Sequence, residues 1–219
     1  MSRKDTQRLY WEEHTNEFDA IYTHEKSGFS NLLDRIFRKD MYQRFEYTLE
    51  KSEPIAGRTF LDVGCGPGHY SLALAKKGAG SVTGIDYSKK MIKLANERLA
   101  QEKLEANCRF LVEDISEYDP QSKFDVSIAM GLFDYIRDPL PILKRMHALT
   151  TDRMILSFPR LYTWRAPVRK VRLGIRNLEV YFYSKKRLVS IFESTGFKNY
   201  EIIKMGKLHC VVVLLNNKE

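Results

Sequence analysis

The stretch from Phe60 to Asp86 limits the fold of this chain more than any other part of the sequence. Phe60, Leu61 and Val63 form a short apolar run typical of a buried parallel strand, and three glycines then precede an Ala/Leu-rich helical segment. A second strand follows and ends on Asp86. A strand, crossover helix and strand of this length build a parallel sheet, whose ligands lie outside the carboxyl ends of the strands. We therefore expect an α/β fold with a binding site at the glycine loop.

The glycine spacing indicates which nucleotide-like ligand the loop takes. Glycines occupy every second position from Gly64 to Gly68, and His69 stands where the dinucleotide fingerprint has its third glycine. Asp62 would place a negative charge near a pyrophosphate, whereas it suits a ligand with an ammonium or sulfonium cation. Asp86 can accept two hydrogen bonds from the vicinal diol of a ribose. The pattern favours S-adenosylmethionine over NAD.

At these residues the sequence resembles the class I S-adenosylmethionine-dependent methyltransferases, and among them the small-molecule enzymes that are methyltransferase type 11-like. Residues 62–68 match the first motif of the family and Asp86 matches its ribose acid. The resemblance implies a three-layer α/β/α Rossmann-like methyltransferase fold, with a mostly parallel seven-stranded sheet and an antiparallel last strand. It also implies S-adenosyl-L-methionine as the cofactor.

The same resemblance implies the residues that bind the cofactor. Tyr87 and Met91 would border the adenine ring, although Met91 at helical spacing is equally well a core residue. Asp114 would accept a hydrogen bond from the exocyclic amine, and the backbone N–H of Ile115 would reach a ring nitrogen. The complete predicted set is Asp62, Gly64, Cys65, Gly66, Gly68, Asp86, Tyr87, Met91, Asp114, Ile115 and Met130.

Composition excludes several classes of protein. The chain has 219 residues, of which 43% are hydrophobic, so it can bury a substantial core as one domain. No apolar run approaches the length of a membrane span and the N-terminus does not read as a signal peptide, so we expect a cytoplasmic protein. Three widely spaced cysteines without clustered histidines predict reduced thiols and no metal site.

Residues 1–52 predict an N-terminal helical cap. Apolar groups recur at three- and four-residue steps in two runs. In similar methyltransferases such an extension lies over the cofactor and closes part of the substrate pocket, which makes Tyr10, Trp11, Phe18 and Tyr22 candidate pocket residues. The alternative is that these aromatic side chains only pack the helices onto the sheet.

The segment after the fourth predicted strand, Phe124–Met130, occupies the edge of the sheet where catalytic and substrate-facing groups belong. We predict Phe133 and Tyr135 as substrate contacts. A base for a hydroxyl or amine acceptor would come from a group of candidates that the sequence does not rank: His14, His24, His69, Asp134 and Tyr135. Met130 to Phe133 lack the Asn/Asp-Pro-Pro-Tyr/Phe signature of nucleic-acid amino-methyltransferases, and Cys108 lies on the wrong strand for cytosine C5 chemistry, so nucleic acid is not expected as a substrate.

The net charge of +8 is concentrated in a predicted insertion at 159–183. From Trp164 onward, apolar residues recur at steps of three and four, and arginines repeat the same steps one residue later. This pattern predicts a basic amphipathic helix. Arg165 and Arg169 would bind a carboxylate or phosphate of the acceptor. Alternatively the helix contacts an anionic membrane, or it is only a solvated charged face.

The remaining segments complete the predicted domain, whose cofactor-binding half spans 57–158. Asp152–Phe158 is the fifth strand, Ser184 begins a helix that ends at Gly196, and 184–219 close with a hairpin of Tyr200–Met205 and Leu208–Leu215. We predict a single-domain methyltransferase that acts on a small molecule, by O- or N-methylation of a hydrophobic or anionic acceptor. Two alternatives remain, an NAD-dependent oxidoreductase and a non-catalytic S-adenosylmethionine-binding module, and the oligomeric state is open.

Overall fold

The computed structural model of the chain describes residues 10, 12, 31–161 and 179–215, with residues 31–40 described by their backbone. Five helices follow one another along the described chain: α1 Asn31–Lys51, α2 His69–Lys76, α3 Lys89–Glu102, α4 Leu140–Leu149 and α5 Lys185–Thr195. The strands are β1 Thr59–Val63, β2 Ser81–Asp86, β3 Cys108–Val112, β4 Phe124–Ala129, β5 Thr150–Pro159, β6 Tyr200–Met205 and β7 Leu208–Leu214. A short 3-10 turn, Leu132–Tyr135, follows β4.

The strands form one seven-stranded sheet in the order β3-β2-β1-β4-β5-β7-β6. Neighbours from β3 to β5 are parallel, while β7 lies antiparallel between β5 and β6. The predicted fold, including the antiparallel last strand, is confirmed. The order reverses between β1 and β4, so the carboxyl ends of these strands open a crevice at the switch point.

Three strands have ends that differ from the prediction, and one of them, β7, stops at Leu214 rather than Leu215. β5 begins at Thr150, two residues earlier than expected, and it includes Pro159. Proline is tolerated there because the last residue of a strand can do without one ladder hydrogen bond. β4 ends at Ala129 rather than Met130, since Gly131 turns the chain with a φ of 89°.

Alternation along the strands divides the core between the two faces of the sheet. The side chains on the Phe60 face of the sheet pack against α1, α2 and α3. Those on the Leu61 face pack against α4 and α5. Phe60 and Leu61 are both fully buried. Burial of a side chain of this size stabilises the fold by roughly 1.5–3 kcal/mol. The result is the expected three-layer arrangement.

Capping side chains fix where two helices at the functional edge begin. The Oγ atom of Ser88 accepts from the backbone N of Met91 at 3.3 Å, and that of Ser184 accepts from the N of Arg187 at 3.2 Å. α5 ends at Gly196 with a φ of 80°, as predicted.

The two ends of the predicted insertion lie side by side. Arg160 and Tyr183 form a parallel bridge, in which the N of Leu161 donates to the O of Tyr183 at 3.1 Å and the N of Tyr183 donates to the O of Pro159 at 2.7 Å. The N of Tyr181 also donates to the O of Asp134 at 2.9 Å. The chain therefore leaves and re-enters the sheet at one point.

Several predicted residues lie outside the described part of the chain: Trp11, His14, Phe18, Tyr22, His24, Trp164, Arg165 and Arg169. The basic helix predicted from Trp164 onward also falls there. Tyr10 and Glu12 are helical, in agreement with the predicted first run. Among the described helices, none combines the length and the apolar character that crossing a membrane requires.

Candidate active site

The glycine loop lies at the carboxyl end of β1 and is fastened to the neighbouring strand. The backbone N atoms of Gly64 and Cys65 both donate to the O of Ile85, at 2.9 and 3.1 Å. Gly64, Gly66 and Gly68 have φ values of 68°, 53° and 81°, which residues with a Cβ atom rarely adopt. The loop thus presents its backbone beside the end of β2.

Phe110 explains why the third glycine is required. A Cβ atom at Gly68 would lie 2.5 Å from Cζ of Phe110, and one at Gly84 would lie 2.5 Å from its Cδ1. The Phe110 ring of β3 therefore lies against both the loop and β2. Gly68 is also the N-cap residue of α2. The loop therefore ends one residue earlier than it does in the dinucleotide fingerprint.

Asp86 ends β2 with its carboxylate already oriented. Oδ2 accepts from the N of Gly66 at 3.0 Å and Oδ1 accepts from the N of Ser88 at 2.9 Å. Burial raises the pKa of Asp86 to about 6 and these two backbone bonds oppose the rise, so the group is mainly ionised at neutral pH. A carboxylate has about four acceptor positions, and two of them remain for a vicinal diol.

Asp62 lies at the end of β1, just before the glycine loop, and its side chain is enclosed. Its side chain is 1% exposed, and Oδ2 accepts from Oγ of Ser71 in α2 at 2.7 Å. Burial raises the pKa of Asp62 to about 7, and the charge of Asp86 adds to the rise. The enclosed carboxyl group holds α2 against the end of β1, and its contact with the cofactor stays a prediction.

Tyr87 and Met91 follow Asp86 at the start of α3, and their contact with an adenine ring stays a prediction. Tyr87 is half-buried, and burial together with the charge of Asp86 raises the pKa of its hydroxyl. Met91 is 3% exposed, so most of its side chain belongs to the core while its backbone begins α3.

Asp114 and Ile115 lie just beyond the end of β3. Oδ1 of Asp114 accepts from the N and Oγ of Ser116, at 2.9 and 2.6 Å, which fixes the turn. Ile115 is 7% exposed and packs in the core, which leaves its backbone as the group available for a base. Both placements are compatible with the predicted adenine contacts.

Arg44 is the functional candidate that sequence reasoning missed. It lies on α1, is 7% exposed, and its Nε donates to the hydroxyl of Tyr70 at 2.9 Å. A Cβ atom at Gly131 would lie 3.4 Å from its Nη1, so the guanidinium reaches the carboxyl end of β4. One turn further along α1, Oγ1 of Thr48 contacts the sulfur of Met130 at 3.4 Å. The sequence held no clear signal for it, since Arg44 is one of several charged residues between the apolar positions of α1.

The described candidate bases differ in their hydrogen bonds and in how far their side chains are exposed. Nη1 of Arg98 lies 3.0 Å from Nε2 of His69, and because a guanidinium only donates, this nitrogen must accept the bond and is not available to take a substrate proton. The same Arg98 atom donates to the O of Pro67 at 3.2 Å, which braces the loop. Asp134 is 6% exposed, whereas Tyr135 is half-buried. Of the two candidates in the 3-10 turn, Tyr135 is therefore the one whose side chain keeps exposed surface.

Aromatic side chains line the edge beyond β4. Val180 is buried, and Tyr10, Tyr135 and Phe182 pack against it. The cap residue Tyr10 is thereby brought next to the predicted substrate contact Tyr135. Phe133, the other predicted contact, is fully buried and stacks on Phe158 with ring centroids 4.4 Å apart. Phe133 packs in the core in this structure, and its contact with a substrate stays a prediction.

The residues present fit S-adenosylmethionine. Asp86 offers two acceptor positions for a ribose, the loop offers backbone N–H groups, and Arg44 offers a buried cation for a carboxylate. Within the described residues, no group of histidine, cysteine or acidic side chains is arranged to hold a metal ion.

Comparison with known proteins identifies the family. The model of a family described as "Methyltransferase domain" matches residues 55–196, well over half of the chain. The match begins just before β1 and ends at the close of α5, so it contains the loop, Asp86 and the edge beyond β4. It favours S-adenosylmethionine over the NAD alternative.

Curated relatives match the same region. The ubiquinone biosynthesis O-methyltransferase of Coxiella burnetii is 38% identical over 106 residues, which cover 48% of this chain and 44% of that protein. The protein of the same name from Actinobacillus pleuropneumoniae is 33% identical over 119 residues, covering 52% of this chain and 50% of that one. The chain thus spans about half the length of the curated relatives it matches.

Solved structures share the fold over almost the whole chain. Magnesium protoporphyrin IX methyltransferase from Synechocystis with bound S-adenosylhomocysteine gives a TM-score of 0.78 at 22% identity, covering 98% of this chain and 100% of that one. Phosphoethanolamine N-methyltransferase 2 from Haemonchus contortus gives 0.71 at 20% identity, covering 94% and 46%. Since the family model, the sheet order and the glycine loop agree, the chain belongs to the class I S-adenosylmethionine-dependent methyltransferases.

Proposed function

We propose that the protein transfers a methyl group from S-adenosylmethionine to an oxygen atom of a small hydrophobic or anionic acceptor. The observation that carries the proposal is the carboxylate of Asp86, held by Gly66 and Ser88 next to the loop with room for two hydroxyl groups. The names of the curated relatives support oxygen as the acceptor atom.

Each end of the cofactor has a partner in this proposal. Asp86 takes the ribose diol, and the turn at Asp114 and Ile115 takes the adenine. Arg44 takes the aminoacyl carboxylate, because its buried guanidinium lies beside Gly131 at the end of β4 and donates to Tyr70, in the first turn of α2 after the loop. When bound, the sulfonium supplies an activated methyl group, so the protein has to align the acceptor and exclude water.

Acceptor contacts are proposed at the aromatic edge. Tyr10, Tyr135 and Phe182 surround Val180 and would pack on a planar or hydrophobic acceptor. Tyr135 is the residue that we propose to orient the acceptor hydroxyl, since it belongs to the 3-10 turn at the end of β4. Its hydroxyl can accept or donate a hydrogen bond.

A methyl-transfer screen tests the proposal. The protein is incubated with donor labelled in the methyl group and with phenols, carboxylic acids, amines and thiols, including phenols with and without a carboxylate. We expect label in a hydroxyl-bearing acceptor, and expect it to be lost in Asp86→Ala. Label that appears only in amines or thiols would contradict O-methylation, and S-adenosylhomocysteine binding without transfer to any acceptor would support the binding-only module.

The basic insertion receives a second, separate proposal. We propose that Arg165 and Arg169 contact an anionic group, either on the acceptor or on a membrane surface. The test compares wild type with Arg165→Glu/Arg169→Glu for the KM of the acceptor and for sedimentation with anionic and zwitterionic vesicles. A raised KM assigns the arginines to the acceptor, and lost sedimentation assigns them to the membrane. Unchanged values in both assays would show that the segment is a solvated face.

A further inference from the structure

Tyr70 lies at the junction between the glycine loop and helix α1. It is the second residue of α2, whose N-cap is Gly68, the last glycine of the loop. The next residue, Ser71, bonds to Asp62, so this turn of α2 is held against the end of β1. The Tyr70 ring is 5% exposed and packs against Phe45 of α1, with ring centroids 5.2 Å apart. The position of the tyrosine is therefore set by the fold.

The hydroxyl of Tyr70 fixes the direction of the Arg44 guanidinium. Nε of Arg44 donates to this hydroxyl at 2.9 Å, and the Arg44 Cζ atom lies 5.8 Å from the centroid of the Tyr70 ring. A guanidinium is planar and holds its five N–H donors in a rigid fork. Because Nε–H lies in that plane, the bond with Tyr70 limits the rotation of the whole group. It also leaves both Nη nitrogens to other partners.

The backbone of Arg44 is anchored one turn further along α1. Oγ1 of the fully buried Thr48 donates to the O of Arg44 at 2.7 Å, and the same Oγ1 lies 3.4 Å from the sulfur of Met130. This turn of α1 therefore rests on the end of β4, where Nη1 of Arg44 lies beside Gly131. With the backbone held there, the rotation of the side chain is what Tyr70 restricts.

A fixed fork suits a carboxylate better than a freely rotating one. Two parallel hydrogen bonds between a guanidinium and a carboxylate require the two groups to share a plane. An arginine that is already held in one direction loses less conformational freedom when the ligand binds. The hydroxyl of Tyr70 is a neutral acceptor, so it restricts Arg44 without cancelling the positive charge that attracts an anion.

We propose that Tyr70 is a positioning residue, which directs the fork of Arg44 at the aminoacyl carboxylate of S-adenosylmethionine. Tyr70 acts through Arg44 and needs no contact of its own with the cofactor. Its effect is to make the site prefer a ligand that carries this carboxylate. The inference rests on the proposed function in one respect, the assignment of Arg44 to the aminoacyl carboxylate.

Tyr70→Phe keeps the ring and removes the hydroxyl. Calorimetry measures the affinity for S-adenosylhomocysteine and for its decarboxylated analogue, which keeps the amine and lacks the carboxylate. We expect S-adenosylhomocysteine to bind about fivefold more weakly or worse, because the fork loses its direction, and the affinity for the analogue to stay the same. Unchanged affinity for S-adenosylhomocysteine, or an equal loss for both ligands, would overturn the proposal.

Tyr47→Phe is the matched control. Tyr47 is a buried tyrosine of the same core cluster, and its hydroxyl has no hydrogen-bond partner among the described residues. This variant should bind both ligands as the wild type does. A loss of preference for S-adenosylhomocysteine in Tyr47→Phe as large as in Tyr70→Phe would show that the ratio responds to any altered core tyrosine, which contradicts a specific role of Tyr70.

A second comparison shows whether Tyr70 acts through Arg44, and it leaves no buried guanidinium without its hydroxyl partner. Arg44→Met is measured beside Arg44→Met/Tyr70→Phe. Since the first variant has no fork to direct, the second should bind S-adenosylhomocysteine with the same affinity. A further loss of affinity in the double variant would refute action through Arg44.

Arg44→Met alone separates a failure of this inference from a failure of the proposed function. If it loses the preference for S-adenosylhomocysteine over the analogue while Tyr70→Phe keeps that preference, only the role of Tyr70 is wrong. If Arg44→Met keeps the preference, the assignment of Arg44 to the carboxylate is wrong, and the inference fails with it. Methyl transfer is tested apart from both, by Asp86→Ala in the labelled-donor screen.

Discussion

The Asp62–Ser71 pair holds the beginning of α2 to the end of β1 from inside the protein. Both side chains are enclosed, and Asp62 lies close enough to Asp86 for the charge of Asp86 to raise the pKa of Asp62. An ionised carboxylate at this position therefore lowers the stability of the fold, since its charge is buried. The same carboxylate also holds the loop in place through Ser71. The cost is measurable as a dependence of stability on pH.

Asp62→Asn should remove that dependence. The pKa of Asp62 is about 7 in the folded protein and about 3.9 in an unfolded chain. The stability that this group contributes is fully present below the unfolded pKa and is lost as pH rises through the folded pKa. We expect the cofactor-free wild type to lose about 2 kcal/mol of unfolding free energy between pH 5 and pH 7 relative to the variant. Asparagine keeps an oxygen that can accept from Ser71. Urea unfolding at four pH values measures the difference, and parallel profiles would contradict the buried charge.

Arg44→Met should weaken cofactor binding selectively. If the guanidinium binds the aminoacyl carboxylate, the affinity for S-adenosylhomocysteine falls about tenfold or more, which is ~1.4 kcal/mol. The affinity for methylthioadenosine, which lacks the aminoacyl group, should not change. Calorimetry with the two ligands makes the comparison within one variant. Equal losses for both ligands would mean that Arg44 acts by supporting Tyr70 and the fold.

At the scale of elements, the glycine loop and the β3 strand form one unit. The Phe110 ring occupies the space that a side chain at Gly68 or Gly84 would need. Arg98 of α3 braces the other side of the loop through Pro67 and His69. The loop is therefore held in its binding conformation by contacts from β2, β3 and α3 before a ligand arrives.

Gly68→Ala and Gly78→Ala separate backbone strain from steric conflict. The two glycines have φ values of 81° and 84°, but a Cβ atom at Gly78 meets nothing within 4 Å. We expect Gly78→Ala to cost about 1 kcal/mol of unfolding free energy, from the left-handed backbone alone. Gly68→Ala should cost at least about 1 kcal/mol more, because Phe110 must move. It should also weaken S-adenosylhomocysteine binding.

Denaturant unfolding and calorimetry on both glycine variants check this prediction. Equal destabilisation by the two substitutions would show that the Phe110 ring moves aside without a cost in unfolding free energy. Cofactor affinity that falls equally in both would show that the loop responds to α2 as a whole rather than to its contact with β3.

At the scale of the whole molecule, the strand order brings every proposed cofactor contact to one edge of the sheet. Because ligand binding to the folded state alone adds to stability, S-adenosylhomocysteine at about 100 times its Kd should stabilise the protein by ~2.7 kcal/mol. For a chain of this size that corresponds to a rise of about 5–10 °C in Tm. Thermal scans with S-adenosylhomocysteine and with NADH measure it. A rise with NADH and none with S-adenosylhomocysteine would contradict the assignment of the cofactor.

The fold was predictable because local patterns and global topology agree. Short apolar runs, a glycine loop and a closing hairpin each indicate the same sheet, and Ser88 and Ser184 mark their helices unambiguously. The enclosed positions of Asp62 and Phe133 were not predictable. Whether a side chain next to a loop faces the ligand or the core depends on helices packed from elsewhere in the chain, and sequence spacing does not specify that packing.

Arg44 was missed for a related reason. It is one of many charged residues on α1, and its importance comes from partners far away in the sequence, at Tyr70 and Gly131. Pairs of distant residues that meet at a sheet edge leave no periodic signal.

The bridge between Arg160 and Tyr183 makes the chain between them an exchangeable cassette. Its two ends are hydrogen-bonded to each other and to the sheet, so the distance that a replacement must span is already set by the scaffold. Related enzymes could acquire new acceptors by replacing this one stretch, while the cofactor-binding half at 57–158 stays unchanged. A graft from a methyltransferase of different acceptor preference, joined at residues 161 and 179, is the corresponding engineering route.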